Sequence, residues 1–494
     1  MRKLILLLSF RLCLLQAQSE VQAPPSVDES IDLVLHQTPA LNQAHVGFLF
    51  TDLDSGSVLA EKNSDELFTP ASNAKLFVTA LGLERLGPNY KFQTKLLIEG
   101  PWSPGQTVVS GLRLLGGGDP NLSGRVFPYQ VHPPAADPLS PLRPFVEAVW
   151  AAGIREVDGN VTGVSTRYAG DLYPDGWTVD DVSYGYGAPV SALALNDTTE
   201  QVTVRPGHPG GAARLEISPS VGELVILNQV LTTATPGVDI HVERPLGSDE
   251  IVLSGTIGKR SAPWEQDFSV ADPAHFAAAA LISLLRERGI AVRGTAASDY
   301  SGISTNAAEA SRVIGIRDSV PLSDVIQVIN KVSQNLHAEM LLREVAFVTR
   351  GSGTLQNGTA ERDLFLQQAG IAPPAGKLAI ADGSGLSRQD LVSAQMIVKL
   401  LKYMWSQRYR DLWLASLPIG GVDGSLEHRF RHIAGAERVH AKTGSLSHVN
   451  ALSGYLQTAS GKWIVFSVVV NGTSAKDSDV RDFIDRLCAI FLPL

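Results

Sequence analysis

The feature that most restricts the fold is a split pattern: helices alternate with strands at both ends of the chain, while short β-like runs fill the middle. Val27 to His36 reads as a helix, and Val46 to Asp52 with Ser57 to Glu61 as a hairpin around Asp54-Ser55-Gly56. An apolar helix is expected from Pro70 to Leu86, with Thr69 as N-cap, Pro70 in the first turn and Gly87-Pro88 as the stop. The far end mirrors this. Arg438 to Gly444, Val449 to Leu456 and Trp463 to Asn471 read as strands, and Asp477 to Phe491 as a closing helix. Two distant segments with one pattern imply a single α/β domain assembled from both ends.

Between Phe92 and Ser311 the pattern changes. Thr107 to Leu115, Gln201 to Val204, Ala213 to Ile217, Val238 to Pro245 and Ile251 to Ile257 are β-like and punctuated by Gly and Pro. Helical patterns break in at Leu142 to Ala152 and Ala274 to Arg288. One or two β-rich insert domains are expected here. A chain of 494 residues has room for them, and 44% hydrophobic against 18% charged residues allows a substantial core.

A net charge of −9 argues against a nucleic-acid partner, which would leave a basic footprint. Arg2 and Lys3, the apolar run Leu4 to Leu15 and the small or polar Gln16 to Ser19 read as a cleaved export signal over residues 1–17, although Arg11 interrupts the run. No later stretch is apolar enough to span a bilayer, so membrane association would be peripheral at most. The two cysteines are Cys13, inside the signal, and Cys488, in an apolar stretch, so a mature chain could form no internal disulfide. An exported protein without disulfides suggests the periplasm or envelope of a bacterium.

Three groups of residues could carry chemistry. In Pro70-Ala71-Ser72-Asn73-Ala74-Lys75, Ser72 and Lys75 share one helix face. A serine hydroxyl needs a neighbouring base, and a lysine whose pKa is lowered by burial can serve. Ser-x-x-Lys alone recurs by chance about twice in a chain this long. Ser333-Gln334-Asn335 lies between helices near Pro321 to Lys331 and Leu336 to Thr349, and offers a hydroxyl and an amide on a tight link. Ser304-Thr305-Asn306 has the same form but reads as a solvated linker turn. In His440-Ala441-Lys442-Thr443-Gly444-Ser445, Gly444 would let a substrate backbone approach, and Lys442 and Thr443 could bind a carboxylate. The eleven histidines show no metal-ligand spacing, so neither a metal nor a cofactor is called for. His275, His337 and His440 read as structural, Asp119 as a loop-fixing residue and Trp177 as packing.

Ser-x-x-Lys, Ser-x-Asn and Lys-Thr-Gly in this order are the signature of penicillin-binding proteins and class A β-lactamases. The chain resembles the low-molecular-mass class C penicillin-binding proteins, the serine D-Ala-D-Ala carboxypeptidases and endopeptidases of peptidase family S13. Phe68-Thr69-Pro70-Ala71-Ser72, Leu115-Gly116-Gly117-Gly118-Asp119-Pro120, Ala381-Asp382-Gly383-Ser384-Gly385-Leu386-Ser387-Arg388 and Leu452-Ser453-Gly454-Tyr455 look like family segments, as does the long interval between Ser72 and Ser333.

The resemblance implies a transpeptidase-like domain of residues 27–95 and 312–494, an antiparallel sheet flanked by helices. It implies a β-rich insert of residues 96–200 and 251–311, and a small domain, 201–250, nested in it. Ser72 would attack the penultimate D-Ala carbonyl and Lys75 take its proton. Ser333 and Lys442 would protonate the leaving amine, and Asn335 would bind the substrate amide. Thr443 and Lys442 would bind the terminal carboxylate, with the N–H groups of Ser72 and Ser445 as the oxyanion hole. Asp181, in Pro174 to Asp181, would bind the amino end of the stem peptide, with Tyr186 and Arg388 beside it. The implied partners are peptidoglycan stems or cross-links and β-lactam antibiotics. Ser447 departs from the glutamine of some relatives. Two alternatives stay open: a β-lactamase, for which Glu223 is a poorly spaced candidate base, and a non-catalytic wall-binding protein.

Overall fold

The computed structural model describes residues 26–245, 248–301, 312–372, 376 and 378–494. The export signal with Cys13 and the Ser304-Thr305-Asn306 turn lie outside the described residues.

Both ends of the chain do build one sheet. Its order is Val439–Leu446, Val449–Gln457, Trp463–Asn471, His45–Asp52, Val58–Lys62, antiparallel throughout. The strands Val449–Gln457 and Trp463–Asn471 are buried along nearly their whole length, because helices cover both faces. On one face lie Lys75–Arg85, Leu322–Gln327, Asn335–Arg350 and Ala394–Trp405, around a core that includes Phe77, Leu81, Leu341, Ile397 and Trp413. On the other lie Val27–His36 and Asp477–Ala489, packed through Ile31, Phe50, Phe466, Phe483 and Phe491. The fold is thus the expected α/β arrangement, a sheet between helical layers.

The middle of the chain holds mixed sheets and helices. A five-stranded sheet runs in the order Ala296–Asp299, Val161–Val164, Leu112–Leu115, Gln93–Ile98, Arg312–Asp318, with Arg143–Ala151 and Pro273–Glu287 in its core. Two smaller sheets share a further core around Val202, Leu253 and Phe268. One comprises Thr199–Arg205, Arg214–Ser218 and Trp264–Ser269; the other Val225–Asn228, Leu231–Thr233, Val238–Glu243 and Glu250–Gly258.

These pairings run past the limits expected from sequence. Gln93–Ile98 crosses the boundary at 95, and Arg312–Asp318 pairs with it rather than with the terminal sheet. Glu250–Gly258 pairs with Val238–Glu243, and Trp264–Ser269 with Thr199–Arg205, both across the limit expected at 250. Strand partners far apart in sequence leave no mark on local periodicity.

Candidate active site

Ser72 does not sit in the first turn of an α-helix. Ala71–Ala74 form a 3-10 turn, and the α-helix starts at Lys75 and ends at Arg85. With three residues per turn, Ser72 and Lys75 are stacked directly above one another. Thr69 is not the cap. Its N–H donates to Asn471 Oδ1 at 2.8 Å, and Asn471 Nδ2 donates back to its carbonyl at 3.1 Å. The turn is therefore moored to the sheet.

Two glycines clamp it. A Cβ on Gly444 would stand 2.6 Å from the Pro70 carbonyl oxygen, and one on Gly385, at φ +79°, would stand 1.9 Å from that of Ala71. Gly444 is thus required for packing against the turn that carries Ser72, where sequence had suggested room for substrate. Ala71 itself is held at φ 48°, a conformation that non-glycine residues seldom adopt.

Lys75 is fully buried. Its Nζ reaches Ser72 Oγ at 2.8 Å, Asn335 Oδ1 at 2.6 Å and the Ser384 carbonyl at 2.6 Å, which uses every donor of an ammonium group. Burial pushes its pKa down to about 7, against the upward pull of Asp382, Glu339 and Asp390. Near neutral pH a large share of Lys75 is an unprotonated amine touching the Ser72 hydroxyl.

The acids that temper this shift also build the loop opposite. Asp382 accepts Gly385 N–H at 2.7 Å, Ser387 N–H at 2.9 Å, the Ser384 hydroxyl at 2.9 Å and the Trp177 indole N–H at 2.9 Å. Glu339 accepts the N–H groups of Gly383 and Ser384. Burial, with Asp382 beside it, raises its pKa to about 8.

Ser333 follows a π-helical turn, Val328–Val332, and takes the left-handed conformation at φ 65°. Such turns are frequent at functional sites. Lys442 Nζ donates to Ser333 Oγ at 2.8 Å and to the Thr443 carbonyl at 2.8 Å. Burial, and then Lys75, hold Lys442 well below the ordinary lysine value. Asn335 begins the helix Asn335–Arg350, and its Nδ2 donates to the Tyr186 carbonyl at 2.8 Å. Both ends of its amide are therefore engaged within the protein.

These residues border a cleft of about 330 Å³ lined by Ser72, Asp181, Tyr186, Ser333, Asn335 and Arg388, with Leu386 and Ser445 to Ser447. Lys75 and Lys442 lie beneath it. Thr443 turns to an adjoining cleft, where its hydroxyl meets that of Ser425 at 2.7 Å. Arg388 Nη1 donates to the Ser447 carbonyl at 3.1 Å. Asp181 Oδ2 accepts the Thr178 N–H and hydroxyl at 3.0 and 2.6 Å, and Tyr186 stacks on Tyr184. A larger cleft of about 1020 Å³, by Arg343 and Arg362, holds none of the three motifs. Glu223 is paired with His275 at 2.9 Å and does not line the catalytic cleft.

Among the described residues, no group of His, Cys, Asp and Glu could hold a metal ion. Sequence reasoning missed Asp382, Ser384, Gly385, Glu339 and Ser425. The run Ala381 to Arg388 stood out as a family segment, but nothing local tied it to Lys75.

The sequence matches the model of the D-Ala-D-Ala carboxypeptidase 3 (S13) family over residues 27–490. It is 33% identical over 459 residues to the D-alanyl-D-alanine carboxypeptidase of Actinomadura sp. (strain R39), covering 90% of this chain and 81% of that protein. It is 24% identical over 448 residues to D-alanyl-D-alanine carboxypeptidase DacB of Haemophilus influenzae, covering 89% and 88%. The crystal structure of penicillin binding protein 4 (dacB) from Haemophilus influenzae superposes with a TM-score of 0.78 at 23% identity, over 94% of this chain and 99% of that one. A family model that spans nearly all the described chain, and a relative this similar along most of its length, make the chain a member of the D-Ala-D-Ala carboxypeptidase 3 (S13) family.

Proposed function

We propose that the protein is a serine-type D-alanyl-D-alanine carboxypeptidase and DD-endopeptidase of peptidoglycan that works through an acyl-enzyme on Ser72. The observation that carries this reading is the contact of the buried Lys75 Nζ with Ser72 Oγ at 2.8 Å. Unprotonated Lys75 takes the hydroxyl proton as Ser72 Oγ bonds to the penultimate D-Ala carbonyl. The oxyanion is held by the N–H groups of Ser72 and Ser445. The C–N bond then breaks, Ser333 gives its proton to the leaving amine, and Lys442 replaces it. Water hydrolyses the ester. Lys442 and, on leaving Ser425, Thr443 bind the terminal carboxylate, and Asp181 receives the amino end of the stem, with Tyr186 and Arg388 beside it. The remaining amide N–H of Asn335 is directed to the substrate.

A β-lactam amide would acylate Ser72 by the same steps. No glutamate lines the cleft among the described residues, which supports a long-lived penicilloyl-enzyme over a β-lactamase. The convergence of all three motifs counts against a non-catalytic wall-binding protein. The middle sheets are read as two inserts in the catalytic domain, one nested in the other. Export to the envelope is part of the proposal and is supported by the Arg2 to Ser19 pattern.

The test is labelling with a fluorescent penicillin, followed by product analysis on monomeric and cross-linked muropeptides. Stable labelling, its loss in Ser72→Ala and release of D-Ala are expected. An unlabelled wild type would sink the enzyme reading, and rapid penicillin turnover would favour a β-lactamase.

A further inference from the structure

The side chain of Gln334, between Ser333 and Asn335, is engaged at both ends. Its Oε1 accepts the Leu336 N–H at 3.1 Å, and its Nε2 donates to Asp197 Oδ2 at 2.8 Å. The other oxygen of Asp197 accepts His337 Nε2 at 2.8 Å, and Arg125 Nη2 closes on Oδ2. Gln334 and His337 lie three apart at the start of the helix Asn335–Arg350. One carboxylate thus grips the chain on both sides of Asn335.

Asp197 belongs to the middle part of the chain. It is the centre of three successive residues, Asn196, Asp197 and Thr198, at φ 48°, 55° and 58°. L-residues seldom adopt this conformation, least of all a β-branched one, and strain of this kind persists where its surroundings impose it. Asn196 Nδ2 donates to the Thr199 carbonyl at 3.0 Å, and the Thr199 hydroxyl returns a bond to Asn196 at 2.9 Å. Burial opposes ionisation of Asp197, but Arg125 and His337 outweigh it and hold the carboxyl below its ordinary value.

We propose that Asp197 is a positioning residue for acylation: through Gln334 and His337 it sets where Ser333 and Asn335 meet Lys442 and Lys75. It touches neither substrate nor Ser72. The inference rests on the reading of Ser72 as nucleophile. Without the carboxylate, Gln334 is free to change rotamer and the left-handed turn at Ser333 is no longer held. The 2.8 Å Lys442–Ser333 and 2.6 Å Lys75–Asn335 contacts then lengthen.

The test compares Asp197→Asn and Gln334→Ala with Glu344→Gln in the purified full chain. Glu344, on the same helix, instead pairs with Arg167 and accepts from Tyr90 and Tyr168. Misplacement near 1 Å predicts that the first two variants lower penicillin acylation and kcat about 10–100-fold. KM should change less than kcat, since Asn335 is the one substrate-binding group displaced. The double variant should be no slower than the slower single one, and Asp197→Glu should recover part of the rate. Glu344→Gln should lower Tm without slowing acylation. Wild-type acylation in folded Asp197→Asn and Gln334→Ala, or an equal fall in Glu344→Gln, overturns the proposal. If Asp197→Asn does not fold, Gln334→Ala decides alone. Labelling that survives Ser72→Ala would instead refute the nucleophile, a separate outcome.

Discussion

Gly444 and Pro70 approach so closely that a single added carbon on the glycine would stand 2.6 Å from the proline carbonyl oxygen. The Lys-Thr-Gly strand and the turn that carries Ser72 are therefore packed as one body, and the proposed oxyanion site between them would be set before substrate arrives. Gly444→Ala should separate the two. Overpacking of this kind costs about 1–3 kcal/mol, and penicillin acylation should fall with Tm. A thermal melt and a labelling time course check both; an unchanged acylation rate would show that the turn tolerates displacement.

The state of Lys75 should make acylation pH-dependent. With its pKa pushed down to about 7 by burial, the acylation rate should rise with pH up to about 7 and level off above it. Lys75→Arg, which cannot give up its proton, should not acylate. A flat stopped-flow acylation profile between pH 5 and pH 9 (roughly two units either side of that pKa) would remove Lys75 as the base.

The same shift enters stability. Between pH of about 7 and the ordinary value of 10.5 the unfolded chain keeps a proton on Lys75 that the folded chain has released. More protons on the unfolded state mean that this group's contribution rises with pH across that window and is constant below it. Glu339, raised from 4.5 to about 8, acts in the opposite sense: its contribution is complete below 4.5 and is lost as pH rises through 8. Urea unfolding of wild type and Lys75→Met at pH 7 and pH 9.5 should show the wild type gaining relative to the variant at the higher pH.

Asp382→Ala removes the acceptor of four donors at once. Each buried donor left unpaired costs about 1–3 kcal/mol, so a large fall in Tm is expected. Labelling should fall as well, because the Ser384 carbonyl then leaves Lys75. Asp382→Asn, which keeps one acceptor oxygen, should lie between wild type and Ala in both measurements.

On the stem side, Asp181→Asn should raise KM for stem peptides with a free amino end by about 10-fold, the usual worth of a charged hydrogen bond. Benzylpenicillin, which has no such amine, should be less affected. Equal losses on both ligands would move the amine site elsewhere.

The architecture at the two chain ends was legible because it is written in local periodicity. Val27–His36 and Trp463–Asn471 have the bounds their patterns imply. The three motifs were legible because serine, lysine and asparagine chemistry depends on residue type and short spacing. Local pattern failed at Thr69, whose backbone bonds to Asn471 while Pro70 takes the cap position, and at the 3-10 turn, against which Gly385 and Gly444 pack closely. It failed again at Gln93–Ile98 and Arg312–Asp318, whose pairing is visible only once the chain is folded.

The sequence by itself determined which groups could react and in what order they occur. Only the tertiary structure decided that they do meet, and in what protonation state. The pKa of Lys75 is pushed down to about 7 because distant segments exclude water around it, while Asp382, Glu339 and Asp390 limit the shift. Desolvation and Coulomb interaction act through space, so no spacing along the chain could have encoded them in a form readable without the fold.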